Sequence, residues 1–154
     1  MRTQKQTDKW YLAGPMTGVP QFNFPLFIKA TAELRDNGYT IWTPAELDSP
    51  DVQKAALASP TGDQDDVNDI ETWGDMLARD VKLITDELDG VVFLPNWQKS
   101  KGARLEAFVG LLTGKDFGRY VSETGQIERM TPETVLTQLA RSTYEQLVRE
   151  RNAG

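Results

Sequence analysis

The chain has 154 residues, 23 acidic against 17 basic side chains, a net charge of −6, and neither cysteine nor histidine. That is the length of one ordinary domain, with enough chain to bury a real core. The composition excludes a thiol nucleophile, a Ser-His-Asp triad and an ordinary zinc site, and it argues against a general affinity for nucleic-acid backbone while leaving room for a single nucleotide in a local pocket.

Catalysis, if there is any, must run on carboxylates, Tyr, Lys, Ser or backbone donors. No apolar run approaches a membrane span. No hydrophobic region follows the N-terminal Met-Arg-Thr-Gln-Lys-Gln-Thr-Asp-Lys, so no secretory signal is read and a cytoplasmic location is expected.

Lys9 to Ala13 reads as a first strand, followed by the turn Gly14-Pro-Met-Thr-Gly18. A glycine-rich turn between strand and helix suits phosphate or ribose, because backbone N–H groups can approach closely. Its spacing is neither the dinucleotide fingerprint nor the P-loop, and taken alone it reads more readily as only a tight turn. Asn23 is placed as a helix cap with Pro25 near the first helical position, and the helix runs to about Asn37-Gly38. Tyr39 to Trp42 is a short second strand.

Residues 44 to about 70 carry Pro44, Pro50, Pro60 and Gly62, then Asp63, Asp65, Asp66, Asp69 and Glu71. Val67 and Asn68 break the alternate-oxygen frame of a calcium loop. The stretch is read as a solvated, mobile loop of the kind that forms lids.

A helix from about Thr72 to Asp86 has Leu77, Val81, Ile84 and Leu88 as its buried stripe. Asp80 lies at the edge of that stripe, with Arg79 and Lys82 pointing away. Asp80 is either a solvated helix residue or an acid that reaches a site at the sheet. Val91 to Leu94 is an unbroken apolar run, as expected for a central parallel strand covered on both faces. Pro95 stops it, and Asn96 to Lys101 is a polar loop.

From Gly102 an apolar helix runs to a stop at Gly114-Lys115. Leu105, Phe108, Val109 and Leu112 share one face, and Ala103, Glu106, Gly110 and Thr113 share a small, polar one, leaving space for the Glu106 side chain. In open parallel sheets ligands bind outside the carboxyl ends of the strands. Glu106, placed in the first turn of this helix, is either a nucleophile or ligand anchor there, or an acid tuning the helix dipole, which would keep it ionised. Asp116 to Met130 holds a last strand and a turn at Gly125. Thr131-Pro-Glu opens a terminal helix whose apolar residues, Val135, Leu136, Leu139, Tyr144, Leu147 and Val148, pack within the chain or across a dimer.

This order of elements predicts a three-layer α/β domain with a parallel sheet, flavodoxin-like (Rossmann-like), over residues 1–118, and an extension over 119–154 ending in the extra helix. The pair Tyr11-Leu-Ala-Gly-Pro15 and Gly102-Ala-Arg-Leu-Glu106, with Asp80 upstream of the central strand, resembles the nucleoside 2-deoxyribosyltransferase superfamily. More closely it is similar to short phage and bacterial members with Gly-Pro-Met-Thr-Gly and a Leu-Pro-x-Trp loop. The resemblance covers roughly residues 9 to 115.

The resemblance implies that Glu106 attacks the anomeric carbon of a deoxyribose and expels the base, that Tyr11 positions this carboxylate and keeps its pKa low, and that Asp80 assists departure. It also implies sites near subunit interfaces, hence a homodimer or higher homo-oligomer. N-glycosidic cleavage passes through an oxocarbenium-like state that a carboxylate stabilises, so no cofactor and no metal is expected. The candidate substrate-binding residues are Gly14, Pro15 and Met16 of the glycine turn, and Asn96, Trp97, Ser100, Gly102 and Arg104 of the loop and following helix.

Trp97 either stacks on a base or caps the core. Ser100 stands where the transferases commonly have an aspartate, and a serine there resembles the deoxynucleoside monophosphate N-hydrolases, in which the hydroxyl helps bind the 5′-phosphate. Arg104 and Lys101 are either extra positive charge for that phosphate or solvated. Hydrolysis of a nucleoside monophosphate or nucleoside is therefore preferred to base exchange. A catalytically idle nucleotide-binding or sequestering protein is the alternative from another class.

Overall fold

In a computed structural model of the chain, residues 9–154 are described. Met1 to Asp8, on which the reading of an absent secretory signal rests, lie outside the described residues. Strands β1 (Lys9–Ala13), β2 (Thr40–Trp42), β3 (Gly90–Phe93), β4 (Asp116–Val121) and β5 (Gln126–Met130) form one sheet in the order β2-β1-β3-β4-β5. The first four are parallel, and β5 pairs antiparallel with β4.

Helices cover both faces: α1 (Phe24–Asp36), α2 (Pro44–Leu47), α3 (Pro50–Ala58), α4 (Asp65–Asn68), α5 (Trp73–Asp86), α6 (Lys101–Leu112) and α7 (Pro132–Ala153). This is the three-layer Rossmann-like architecture with a C-terminal helix. None of the described helices is long and apolar enough to cross a membrane.

Side chains alternate across the strands, as extended backbone requires. Trp10, Leu12, Val92 and Leu94 pack with Phe24, Phe27 and Leu34 of α1. Tyr11, Ala13, Val91 and Phe93 point the other way, towards Ile84 of α5, Ala103 and Ala107 of α6, and Val135 and Leu139 of α7. The chain leaves β1 towards β2 on one side, while β3 lies on the other. Such a reversal opens a crevice at the carboxyl ends of the two neighbouring strands.

Three local expectations are corrected. Residues 44 to 70 are not a mobile loop. They fold into α2, α3 and α4, and Val52, Ala56 and Val67 are buried in the same core as α1. Short amphipathic turns separated by prolines have too little periodicity to read as helices. The segment is also tied to the glycine turn by backbone bonds from Gly18 N to the Gly62 carbonyl (2.8 Å) and from Gln21 N to the Ser59 carbonyl (2.9 Å). Gly62 has φ +71°, and a Cβ there would lie 2.1 Å from the Val19 carbonyl oxygen, so the junction needs a glycine.

The second correction concerns Asn23, whose side chain does not cap α1. It is itself left-handed (φ +61°), ends a 3-10 turn over Pro20–Asn23, and donates to the Pro15 carbonyl at 3.0 Å. Third, two strands rather than one follow Lys115, joined through Gly125 at φ +65°.

Helix α6 packs through its small face. Ala103, Ala107 and Gly110 are buried, whereas Leu105, Phe108 and Leu112 are exposed. A Cβ on Gly110 would stand 2.9 Å from the buried Phe117 ring, which is itself stacked on Phe93. Gly110→Ala should therefore lift α6 or displace Phe117, and lower the unfolding free energy by about 1–3 kcal/mol in urea titrations despite alanine's better helix propensity. An unchanged or higher stability would show that the close approach is not required.

Candidate active site

A cavity of about 580 Å³ opens over the carboxyl ends of β1 and β3. Its acidic end is built by three elements. Tyr11 comes from β1, Asp80 from the middle of α5, and Glu106 from the second turn of α6. All three are at least nine-tenths buried, with Tyr11 at 1 %, Glu106 at 5 % and Asp80 at 7 % exposure. The Tyr11 hydroxyl lies close enough to both carboxyl groups to feel their charge.

The electrostatics differ from the reading of an ionised Glu106. Helix α6 begins at Lys101, so Glu106 lies beyond the first turn, where the helix dipole has largely faded. Burial and the nearby Asp80 charge push the Glu106 carboxyl well above the ordinary glutamate range, more than the Tyr11 hydrogen bond lowers it. Asp80 is also raised by burial, with Arg79 opposing the shift. Tyr11 is pushed up by burial and by both acids, so it stays a neutral hydroxyl. One hydroxyl proton can serve only one carboxylate at a time. Both acids are thus held above their ordinary range, and each raises the cost of ionising the other.

Arg79 does not point away. Its Nε and Nη2 donate to Asp80 Oδ1 at 2.9 and 2.8 Å, and its Nη1 lies 2.9 Å from Oδ1 of Asp48. Neighbours on a helix do not ordinarily face each other, but the long arginine stem folds back over the cavity. Asp48, directly after α2, is buried, and burial raises it to about 6 against the opposing effect of Arg79. Sequence reasoning missed both. The adjacency of Arg79 to Asp80 was a usable signal for the first; Asp48 carries none in its local sequence.

Of the other candidates, Gly14, Met16, Ser100 and Gly102 border the cavity. A Cβ on Gly14 would lie 2.8 Å from that of Leu94, so this glycine lets the turn close over the end of β3. Ser100 caps α6, its Oγ accepting from Ala103 N at 3.2 Å, which leaves its own proton free to donate. Lys99 and Lys101 flank it on the cavity wall.

Pro15, Asn96, Trp97 and Arg104 are not brought there. Pro15 serves through its carbonyl, as the acceptor of Asn23. Asn96 is exposed and left-handed (φ +66°), turning the chain out of β3. Trp97 stacks on Phe93 with centroids 4.1 Å apart, so it caps the core and presents no free face to a base. Arg104 turns to α7, donating to Thr143 Oγ1 at 3.1 Å and to Gln146 Oε1.

The remaining wall is apolar and comes largely from residues that the sequence did not single out: Phe22, Phe24, Val52, Val67, Trp73 and Met76. Among the described residues, no three acidic side chains converge as a metal site would require.

One family profile, described as a domain of unknown function (DUF4406), matches residues 8–117. The chain belongs to the DUF4406 family. The match takes in every element that lines the cavity and ends inside β4, so β5 and α7 of this DUF4406 chain lie beyond it. Neither the curated proteins nor the solved structures gave a match to the chain.

Proposed function

We propose that this protein is an N-glycosidase that cleaves the base–sugar bond of a nucleoside 5′-monophosphate or nucleoside. The observation that carries the reading is the convergence of Tyr11, Asp80 and Glu106 at the buried end of a nucleotide-sized cavity at the sheet's switch point. A pair of carboxyls holding one proton is what such a cleavage uses. In the reactive arrangement the Glu106 carboxylate captures the anomeric carbon as the glycosidic electron pair leaves with the base, and the Asp80 carboxyl gives that base its proton. Water then attacks the anomeric carbon of the glycosyl–enzyme ester, giving its proton to the Asp80 carboxylate as the bond to Glu106 breaks, which releases the sugar and restores both acids.

Tyr11, close to both acids, allows the proton to be redistributed between them. The resemblance of the Tyr11-Leu-Ala-Gly-Pro and Gly-Ala-Arg-Leu-Glu106 motifs to the deoxyribosyltransferase superfamily supports the same chemistry. We place the protein in the cytoplasm as a homodimer, the exposed Leu105, Phe108 and Leu112 row supplying an apolar surface for self-association.

Incubation with a panel of nucleosides and their 5′-monophosphates, read out as free base, tests the reading. Base from at least one substrate is expected, and none from any would leave a binding or sequestering protein. Transfer in place of hydrolysis would appear as exchange onto an added second base.

Ser100 with Lys99 and Lys101 at the start of α6 favours the monophosphate. A hydrogen bond to a charged group contributes roughly 1.5–3 kcal/mol, so the monophosphate should bind about tenfold or more tighter than its nucleoside. Ser100→Ala should erode that preference while sparing the nucleoside, and cost about 1 kcal/mol of stability through loss of the α6 cap. Equal binding of both ligands by the native protein would remove the phosphate from the recognition.

A further inference from the structure

Arg79 and Asp48 have no part in the chemistry just described, yet they are the groups most directly engaged with it. Arg79 spends two of its donors on one oxygen of Asp80, and its Nη1 forms an ion pair at 2.9 Å with Oδ1 of Asp48, which belongs to the separate α2–α3 connection. A planar guanidinium held at both ends has little freedom to rotate, so the Asp80 carboxylate it grips is fixed as well.

We propose that Arg79 is a positioning residue for this site: its guanidinium, paired with Asp48, fixes the Asp80 carboxyl group at the cavity wall beside Glu106. The proposal rests on the glycosidase reading for its catalytic meaning.

The charges around the pair define what Arg79 must do. Glu106 and Asp80 face each other from α6 and α5, with the neutral Tyr11 below them. Asp48 and Glu71 add negative charge from the segments before α5, and Lys99 and Lys101 stand on the wall by the α6 start. Arg79 is the cation that hydrogen-bonds directly to Asp80. Without it, buried acids near further negative charge take up a second proton readily, and a doubly protonated pair has no nucleophile. Asp48 works in the opposite sense. It draws part of the guanidinium's charge away from Asp80 and carries its own negative charge above about pH 6.

The two substitutions should therefore move the pair in opposite directions, which a merely structural role would not do. Carboxyl-carbon NMR titration of the full chain reads Asp80 and Glu106 without needing a substrate. In Arg79→Gln the titration of the pair should move up by about 1–2 pH units. In Arg79→Lys, which keeps the charge, it should stay close to the native position. In Asp48→Asn, steps above pH 6 should move down by some tenths of a unit.

A folded Arg79→Gln protein titrating like the native one overturns the proposal, and so does an Asp48→Asn shift in the same direction as Arg79→Gln. Should Arg79→Gln fail to fold, the other two variants decide: an unmoved pair in Asp48→Asn, or an upward shift in Arg79→Lys as large as that expected for Gln, overturns it. With a substrate in hand, the acid limb of kcat/KM should move up in Arg79→Gln. Absence of base release from every substrate counts against the glycosidase reading alone; an unmoved NMR titration counts against Arg79 alone.

Discussion

Glu106→Gln should fold as the native chain does and release base more slowly by on the order of 10³-fold or more. Glutamine keeps the volume and an oxygen for the Tyr11 hydroxyl, but it cannot form the glycosyl ester. Stability should not suffer. The folded state holds the Glu106 carboxyl above its unfolded value. The stability linked to that protonated form is fully present below the ordinary glutamate range and is lost as pH rises through the folded value. The neutral glutamine escapes that loss, so the variant should resist urea at least as well as the native protein at alkaline pH. Native turnover in Glu106→Gln would sink the nucleophile assignment. Failure to fold would make Glu106 a core residue instead.

A stability effect of calculable size is expected at Asp48, and its sign follows from burial. The folded protein raises this carboxyl from the ordinary value of 3.8 to about 6, burial outweighing the Arg79 ion pair. Its stabilising contribution is thus complete below 3.8 and disappears as pH climbs to about 6. At roughly 1.4 kcal/mol per pH unit, the native chain should lose on the order of 2–3 kcal/mol from this group across that interval. In Asp48→Asn the interval should be flat by comparison, so the difference in unfolding free energy between variant and native protein should change with pH by that amount. Urea titrations on either side of the interval measure it. A pH-independent difference would mean that Asp48 titrates normally and that the ion pair compensates its burial.

Much of this molecule could be read from its residues because burial and periodicity coincide there. The apolar runs at Val91 to Leu94 and Trp10 to Ala13 and the stripe through Ile84 and Leu88 put β3, β1 and α5 in place. Their order brought Tyr11, Asp80 and Glu106 to one end of the sheet. What escaped depended on distance along the chain or on side-chain reach. Asp48 meets Arg79 only after α2 and α5 have packed. Arg104 lies one turn from the loop in sequence, yet its place on α6 points it to α7, and of the two readings open for Trp97 the core cap is the one its stack on Phe93 fits. The 44–70 stretch reads as loop because prolines and acids mark turns, and the one pair at helical spacing, Val52 and Ala56, sits in a helix of nine residues between prolines, with Val67 isolated from it.

Those same three residues have a further consequence. They line the cavity on one side and belong to the α1 core on the other. Specificity and foldability are consequently drawn on the same side chains. Enlarging Ala56 to narrow the chamber overpacks a close-fitting interior, and shrinking Val67 to widen it leaves a void behind. A lineage adapting this scaffold to a new ligand would find those positions costly to vary. Diversification would be channelled to the rim, where Thr17, Trp73 and Lys99 border the opening and are exposed to solvent.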